Sequence, residues 1–172
     1  MADLAQAGFE FDSLTDLRVS GRRYRGAYRY LLRWLPQVSD LVVKEQIVRA
    51  LSVPWARPAA ASSLIEEFRT IEGEGDPTGT GIRWAIGNAL SIVGDDSVFE
   101  DLAAIAKERH FGKSRQMIVV GLGRSRKPEV VPLLIDLLDD SDLIRSGRRL
   151  SQRRPRLVGR RLESDVPNSI SL

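Results

Sequence analysis

The chain reads as an all-α protein, an α-α superhelix built from stacked helix pairs, and three observations carry that reading. Ile47-Val48-Arg49-Ala50-Leu51-Ser52 returns as Ile86-Gly87-Asn88-Ala89-Leu90-Ser91 and again as Ile118-Val119-Val120-Gly121-Leu122-Gly123, at offsets of 39 and 32 residues. A basic residue (Lys44, Arg83 or Arg115) stands three places before each isoleucine. Between residues 24 and 138 apolar side chains recur at three- and four-residue spacing, and no stretch sustains the two-residue alternation of a strand. Self-similarity at such a period marks a helical repeat array.

The elements follow in order. Residues 1–23 form a lead-in: Ala2 to Ala7 give a turn or two of helix ended by Gly8, and Asp12-Ser13 cap a short helix through Leu17. Phe9 and Phe11 are placed to cover the open end of the first repeat, because a terminal unit must hide a face that no neighbour covers. Seven helices of 10–14 residues are then predicted. Tyr28, Leu31, Leu32 and Leu35 line the first, which stops at Pro36. Val43, Ile47, Ala50 and Leu51 line the second, after Ser39-Asp40. Pro58 opens the third, with Ala61, Leu64, Ile65 and Phe68 inward, and Gly94 ends the fourth, which carries Ile82, Ala85, Ile86, Ala89 and Leu90. Ser97-Val98-Phe99-Glu100 reads as a capping box opening a helix with Phe99, Leu102, Ala103 and Ala106 inward. Ser114 opens the next, with Met117, Ile118, Gly121 and Leu122. Pro128 opens the last, with Val131, Leu134, Ile135 and Leu138 inward.

Composition narrows the function classes. The absence of cysteine removes disulfides, thiolate metal sites and a cysteine nucleophile. The start, MADLAQAGFEFDSL, lacks the basic and apolar regions of a signal peptide, and no apolar run is long enough to span a bilayer, so the chain reads as soluble and cytoplasmic. Residues 144–172 hold eight arginines against Glu163 and Asp165, leaving the rest net −3 although the whole chain is +3. The basic character therefore belongs to an arginine-rich, irregular tail.

The aligned helix pairs over 24–143 resemble HEAT repeats, in particular the short bacterial kind also seen in phycobilisome-lyase-type repeat proteins. The residues that carry the likeness run from Arg83-Trp84-Ala85-Ile86 through Leu90 to Gly94-Asp95-Asp96, then Val98, Leu102 and Ile105. A second match is Gly123-Arg124, Pro128 to Leu134 and Leu137-Leu138-Asp139-Asp140. The resemblance implies a solenoid of about three and a half repeats and a role as a scaffold, with a lyase-like or modification-assisting role as a further implication. The chain departs from the pattern after Asp142, where the next repeat would put Leu150, Arg153 and Arg154 in the core; unpaired buried charges are too costly for that. Residues 144–172 are thus a natural basic tail or a departure from the repeat frame, and the 127–138 helix is left without its partner, with part of its face exposed and open to self-association.

No catalytic, cofactor or metal site is expected. His110 is the only histidine, and nothing in the spacing supports a triad of Ser91, His110 and Asp95. The Glu72–Gly81 segment follows no strand and its acids would repel phosphate, so it reads as a linker. The favoured function is non-catalytic binding of another protein. The resemblance places the second helices on the concave side, so Lys44, Arg83 and Arg115, then Glu45, Trp84 and Gln116, then Arg49 and Asn88 form three aligned series facing a partner, with Trp84 and Arg49 of the types that anchor interfaces. Against it stands a purely internal reading, in which the Lys/Arg series forms a ladder with turn aspartates and Trp84 packs. The rival class is nucleic acid, held by Arg18, Arg22, Arg23, Arg25, Arg29 and Arg33 among Tyr24, Tyr28 and Tyr30, together with the tail.

Overall fold

A computed structural model describes residues 8, 12–20, 24–71 and 81–143. The expected helix at Ala2 to Ala7, Phe9 and Phe11, Arg22 and Arg23, residues 72–80 of the linker and the tail from residue 144 lie outside the described residues. Among those described there are eight α-helices and no strand: α1 Leu14–Val19, α2 Tyr28–Trp34, α3 Leu41–Leu51, α4 Ala59–Thr70, α5 Ile82–Val93, α6 Phe99–Lys107, α7 Gln116–Leu122 and α8 Val130–Asp136. The seven helices foreseen between 24 and 138 are all present; α3, α4 and α5 have the expected length at 11, 12 and 12 residues, and α2, α6, α7 and α8 are shorter, at 7 to 9.

Local chemistry sets where the helices begin. Ser13 Oγ accepts the Asp16 amide at 3.1 Å to open α1. Asp40 Oδ1 accepts the amides of Val42 and Val43 at 2.8 and 3.1 Å to open α3. Each satisfies a first-turn N–H that has no intrahelical acceptor. The capping box at Ser97 does not form. Asp95 Oδ1 instead accepts both the Ser97 amide, at 2.9 Å, and the Ser97 hydroxyl, at 2.5 Å. This Asx turn diverts the serine from the helix, so Asp96–Val98 form a 3₁₀ turn and α6 starts at Phe99 without a side-chain cap. Likewise α7 begins at Gln116, after a 3₁₀ stretch Arg109–Arg115 broken at Gly112, whose φ of 52° favours glycine.

The helices pack as pairs, α2 on α3, α4 on α5 and α6 on α7. The second members also touch in chain order, α3 with α5 and α5 with α7, while α1 covers α3. The seam is the repeated motif itself. Ile47, Ile86 and Ile118 are buried, as are Leu51, Leu90 and Leu122 and, on the first helices, Leu31, Leu64 and Leu102. Each such full burial stabilises by roughly 1.5–3 kcal/mol.

One phase differs from expectation, and one residue of another. In α3 Ile47, Ala50 and Leu51 are buried as expected, joined by Lys44 and Val48, while Val43 is exposed. In α8 the inward residues are Val130 and Leu133, with Leu137 just beyond; of those expected inward Leu134 is partly buried against the core, while Val131, Ile135 and Leu138 face solvent. The sequence there offers adjacent apolar doublets, Val130-Val131, Leu133-Leu134 and Leu137-Leu138, so two faces one residue apart fit the helical period equally well.

Candidate functional site

The basic residue that precedes each repeated isoleucine turns inward. Lys44, Arg83 and Arg115 are 8%, 6% and 0% exposed. Arg83 Nε donates to the Phe68 carbonyl at 3.1 Å, and its Nη2 to that of Ile71. Arg115 Nη1 donates to the Ala106 carbonyl at 2.8 Å and its Nε to Gly112 at 3.0 Å. Phe68 and Ile71 lie at the end of α4, and Ala106 at the end of α6, where carbonyls lack intrahelical donors and the helix end is negative. Arg83 of α5 and Arg115, immediately before α7, thus each cap the first helix of their own pair. Desolvation pulls the Arg83 pKa below the usual arginine value, and its guanidinium lies 5.8 and 5.1 Å from the rings of Phe68 and Phe111. Lys44 pairs with buried Glu67 of α4. Arg115 meets turn aspartates: its Nη2 is 2.9 Å from Asp140 Oδ2, close enough for an ion pair though outside good hydrogen-bond alignment, and 3.9 Å from Asp142 Oδ2.

The other aligned positions reach solvent. Glu45, Trp84, Asn88, Gln116 and Val120 are half-exposed and Arg49 is exposed, in a row that crosses the adjoining helices α3, α5 and α7. Arg49 Nε donates to Glu45 Oε1 at 2.8 Å, and Gln116 Nε2 to the Asp142 carbonyl at 2.5 Å. The three tryptophans differ. Trp34 and Trp55 pack against the core, Trp55 edge-on to Tyr24 and Tyr28 at 5.2 and 6.0 Å between ring centres. Trp84 is not packed on the core and has no ring, cation or hydrogen-bond partner among the described residues. One turn along α5, Gly87 brings α7 close: a β-carbon there would stand 2.9 Å from the Ser114 carbonyl oxygen and 3.7 Å from Met117 Cβ.

The N-terminal tyrosines serve the interior. Tyr24 and Tyr28 donate their hydroxyls to the carbonyls of Ala50 and Ala56 at 2.8 and 2.9 Å, which removes two of the three rings foreseen as base-stacking platforms. Arg25, Arg29 and Arg33 are exposed. His110 is exposed, 3.9 Å from Glu108, and no group of three or more His, Asp or Glu among the described residues could hold a metal ion.

A feature the sequence reading missed lies where α5 ends. There a cleft of about 380 Å³ opens between the turn after α5, the start of α6 and the end of α7. Arg57 and Arg124, from distant parts of the chain, both reach the last carbonyls of α5. Arg57 Nε donates to Ile92 at 2.9 Å, and Arg124 Nη1 to Ser91 at 2.7 Å. The sequence holds no signal for this, because the carbonyls they meet are backbone and lie 35 and 33 residues away. The Ser97 hydroxyl and then its amide, both bonded to Asp95, hold that carboxyl below its usual value, as Arg57 does more weakly. No described helix is long and apolar enough to cross a membrane. Comparison with protein-family profiles, curated proteins and solved structures finds no match to this chain.

Proposed function

We propose that the chain is a HEAT-like helical-repeat scaffold that binds another protein, without catalysis, through the solvent-reaching row on α3, α5 and α7. The observation that carries this reading is Trp84. A large aromatic side chain, half-buried yet outside the core cluster and with no ring, cation or hydrogen-bond partner among the described residues, is a poor use of an indole in a free-standing surface. Trp is among the residue types that most often dominate interface energies. Its neighbours in the row supply a mixed polar rim, with Arg49 and Glu45 on one side and Asn88 and Gln116 on the other, which suits a protein surface better than a uniformly basic one.

The test uses the full chain with a photo-crosslinker at Asn88, in wild-type and Trp84→Ala forms. A captured protein is identified, purified and titrated against both. Retention by wild type, at least tenfold weaker binding by Trp84→Ala and modest salt sensitivity support the proposal. Capture of nucleic acid, with affinity falling steeply with salt and indifferent to Trp84, would replace it by the rival reading.

A further inference from the structure

The cleft at the end of α5 is built as a recognition site in its own right. Its floor is apolar, made by Leu90, Phe99 and Leu122, and its rim carries Arg57, Arg124 and Arg126. Its size falls at the lower end of the range of about 300–1,000 Å³ typical of small-ligand pockets, which combine an apolar lining with a few polar groups. Two of the guanidiniums are fixed in place. Arg57 is held through Nε and Nη2 by the Ile92 carbonyl, and Arg124 through Nη1 by that of Ser91. Arg57 Nη1 and Arg124 Nη2 are left with no hydrogen bond among the described residues. Arg126 is exposed and makes neither hydrogen bond nor ion pair among them. A planar guanidinium with paired donors matches a carboxylate.

The acids on the same rim define the charge of the occupant. Asp95 Oδ1 is engaged by Ser97, and Asp96 Oδ1 accepts the Ser125 hydroxyl at 2.6 Å. Three guanidiniums against these two carboxylates leave one net positive charge on the lining. The negative end of α5 and the positive start of α6 both border the cleft and offset each other. One negative charge on the ligand balances the site, whereas a dianionic phosphate would leave it net negative.

We infer that this cleft binds a singly charged carboxylate carried on an apolar stem, the carboxylate against the Arg124–Arg126 rim and the stem on the Leu90, Phe99 and Leu122 floor. Two sources share that chemistry, a peptide ending in an apolar residue and a free small branched-chain acid. The site is separate from the Trp84 row and does not rest on the protein-binding reading.

The experiment follows backbone amide shifts of the full chain in nitrogen–proton correlation spectra. The probes are acetyl-Gly-Gly-Leu, its C-terminal amide, 4-methylpentanoate and phenyl phosphate. The free-acid peptide is expected to shift the amides of residues 94–97 and 123–126, and the amide form to leave them in place. Arg126→Ala, which removes a side chain with no hydrogen bond or ion pair among the described residues, is expected to weaken binding about three- to fivefold while the spectrum without ligand stays unchanged away from the cleft. Trp84→Ala is expected to bind the probes as wild type does. Matching affinity of 4-methylpentanoate identifies the small acid as a sufficient ligand, and a preference for the peptide acid identifies a chain terminus; either upholds the site. Equal shifts from acid and amide, tighter binding of phenyl phosphate, an unaffected Arg126→Ala variant, or no shift from either carboxylate probe at these amides would overturn it.

Discussion

Gly121 of α7 lies so close to Ser91 of α5 that a β-carbon on the glycine would stand 2.9 Å from the serine Cα. The obstacle is backbone, which cannot swing aside as a long side chain can. In an open helix, replacing glycine by alanine gains up to about 1 kcal/mol from the backbone entropy of the unfolded chain. Here the clash opposes that gain, and forcing two packed helices apart costs typically about 1–3 kcal/mol. Gly121→Ala is therefore expected to lower the urea midpoint, with a net loss of roughly 1–2 kcal/mol. A midpoint above wild type would show that α5 and α7 do not meet as closely as this contact requires.

Arg115 holds three things at once: the end of α6 through Ala106, the Gly112 turn, and Asp140. Its removal leaves the end of α6 without its donor, and the buried Asp140 carboxylate with only the Asp142 amide at 3.0 Å and Arg109 at 3.8 Å. Breaking one side of a buried pair costs about 3–5 kcal/mol, whereas replacing both partners by apolar residues of similar volume is often neutral. Arg115→Met is expected to be severely destabilising in chemical denaturation, and Arg115→Met with Asp140→Leu to recover part of the loss, the Ala106 carbonyl remaining uncapped. Arg69→Ala, which breaks the exposed ion pair with Glu108 at 2.8 Å, is expected to cost less than about 1 kcal/mol. If Arg69→Ala costs as much as Arg115→Met, burial is not what separates these pairs.

The repeat made the helix count and the core seam legible, because Ile47, Ile86 and Ile118 recur in one phase and all three are buried. Ambiguity entered wherever the local pattern admitted two answers. The α8 doublets allow two faces, and Asp95 competes with the Ser97 cap for the same hydroxyl. The basic series was legible as a series but not as to its purpose. What Arg83 and Arg115 satisfy is backbone carbonyl at the end of another helix, and backbone leaves no trace in residue identity. The Arg57 and Arg124 bonds to α5 were invisible for the same reason.

The α8 phase is directly testable. Leu133 is 6% exposed and Ile135 is 59% exposed. Leu133→Ala is expected to cost about 2–5 kcal/mol, and Ile135→Lys to change stability by less than about 0.5 kcal/mol. The reverse order would restore the face that the sequence pattern first indicated.

Tyr24, at the start of the repeats ahead of α2, is tied to α3 through its hydroxyl on the Ala50 carbonyl. Burial raises its pKa above the ordinary phenol value, with the nearby Arg18 charge pulling partly the other way. A raised folded-state pKa gives stability that is present in full below the unfolded value, about 10, and is lost as pH rises through the folded one. Tyr24→Phe is expected to cost about 0.5–1.5 kcal/mol at neutral pH by leaving the carbonyl without its donor. It should also flatten the fall in stability above pH 10, measured as urea midpoints from pH 8 upward. An equally steep alkaline fall in the variant would mean that the Tyr24 phenol is not the group responsible.

Trp84 and Trp34 or Trp55 should report different surroundings in the same molecule. Trp34 and Trp55 pack on the core, and Trp55 lies between Tyr24 and Tyr28, so iodide in solution reaches them poorly. All three indoles are half-buried, but Trp84 lies outside the core cluster and has no ring contact among the described residues, and its indole should supply most of the iodide-quenchable emission. Trp84→Phe is expected to remove that quenchable fraction and to leave the urea midpoint within about 0.5 kcal/mol of wild type, as surface substitutions do. Emission that remains fully quenchable in the variant would place the exposed indole elsewhere. A large loss of stability would show that Trp84 packs, and the row on α3, α5 and α7 would lose the aromatic anchor on which its reading as an interface depends.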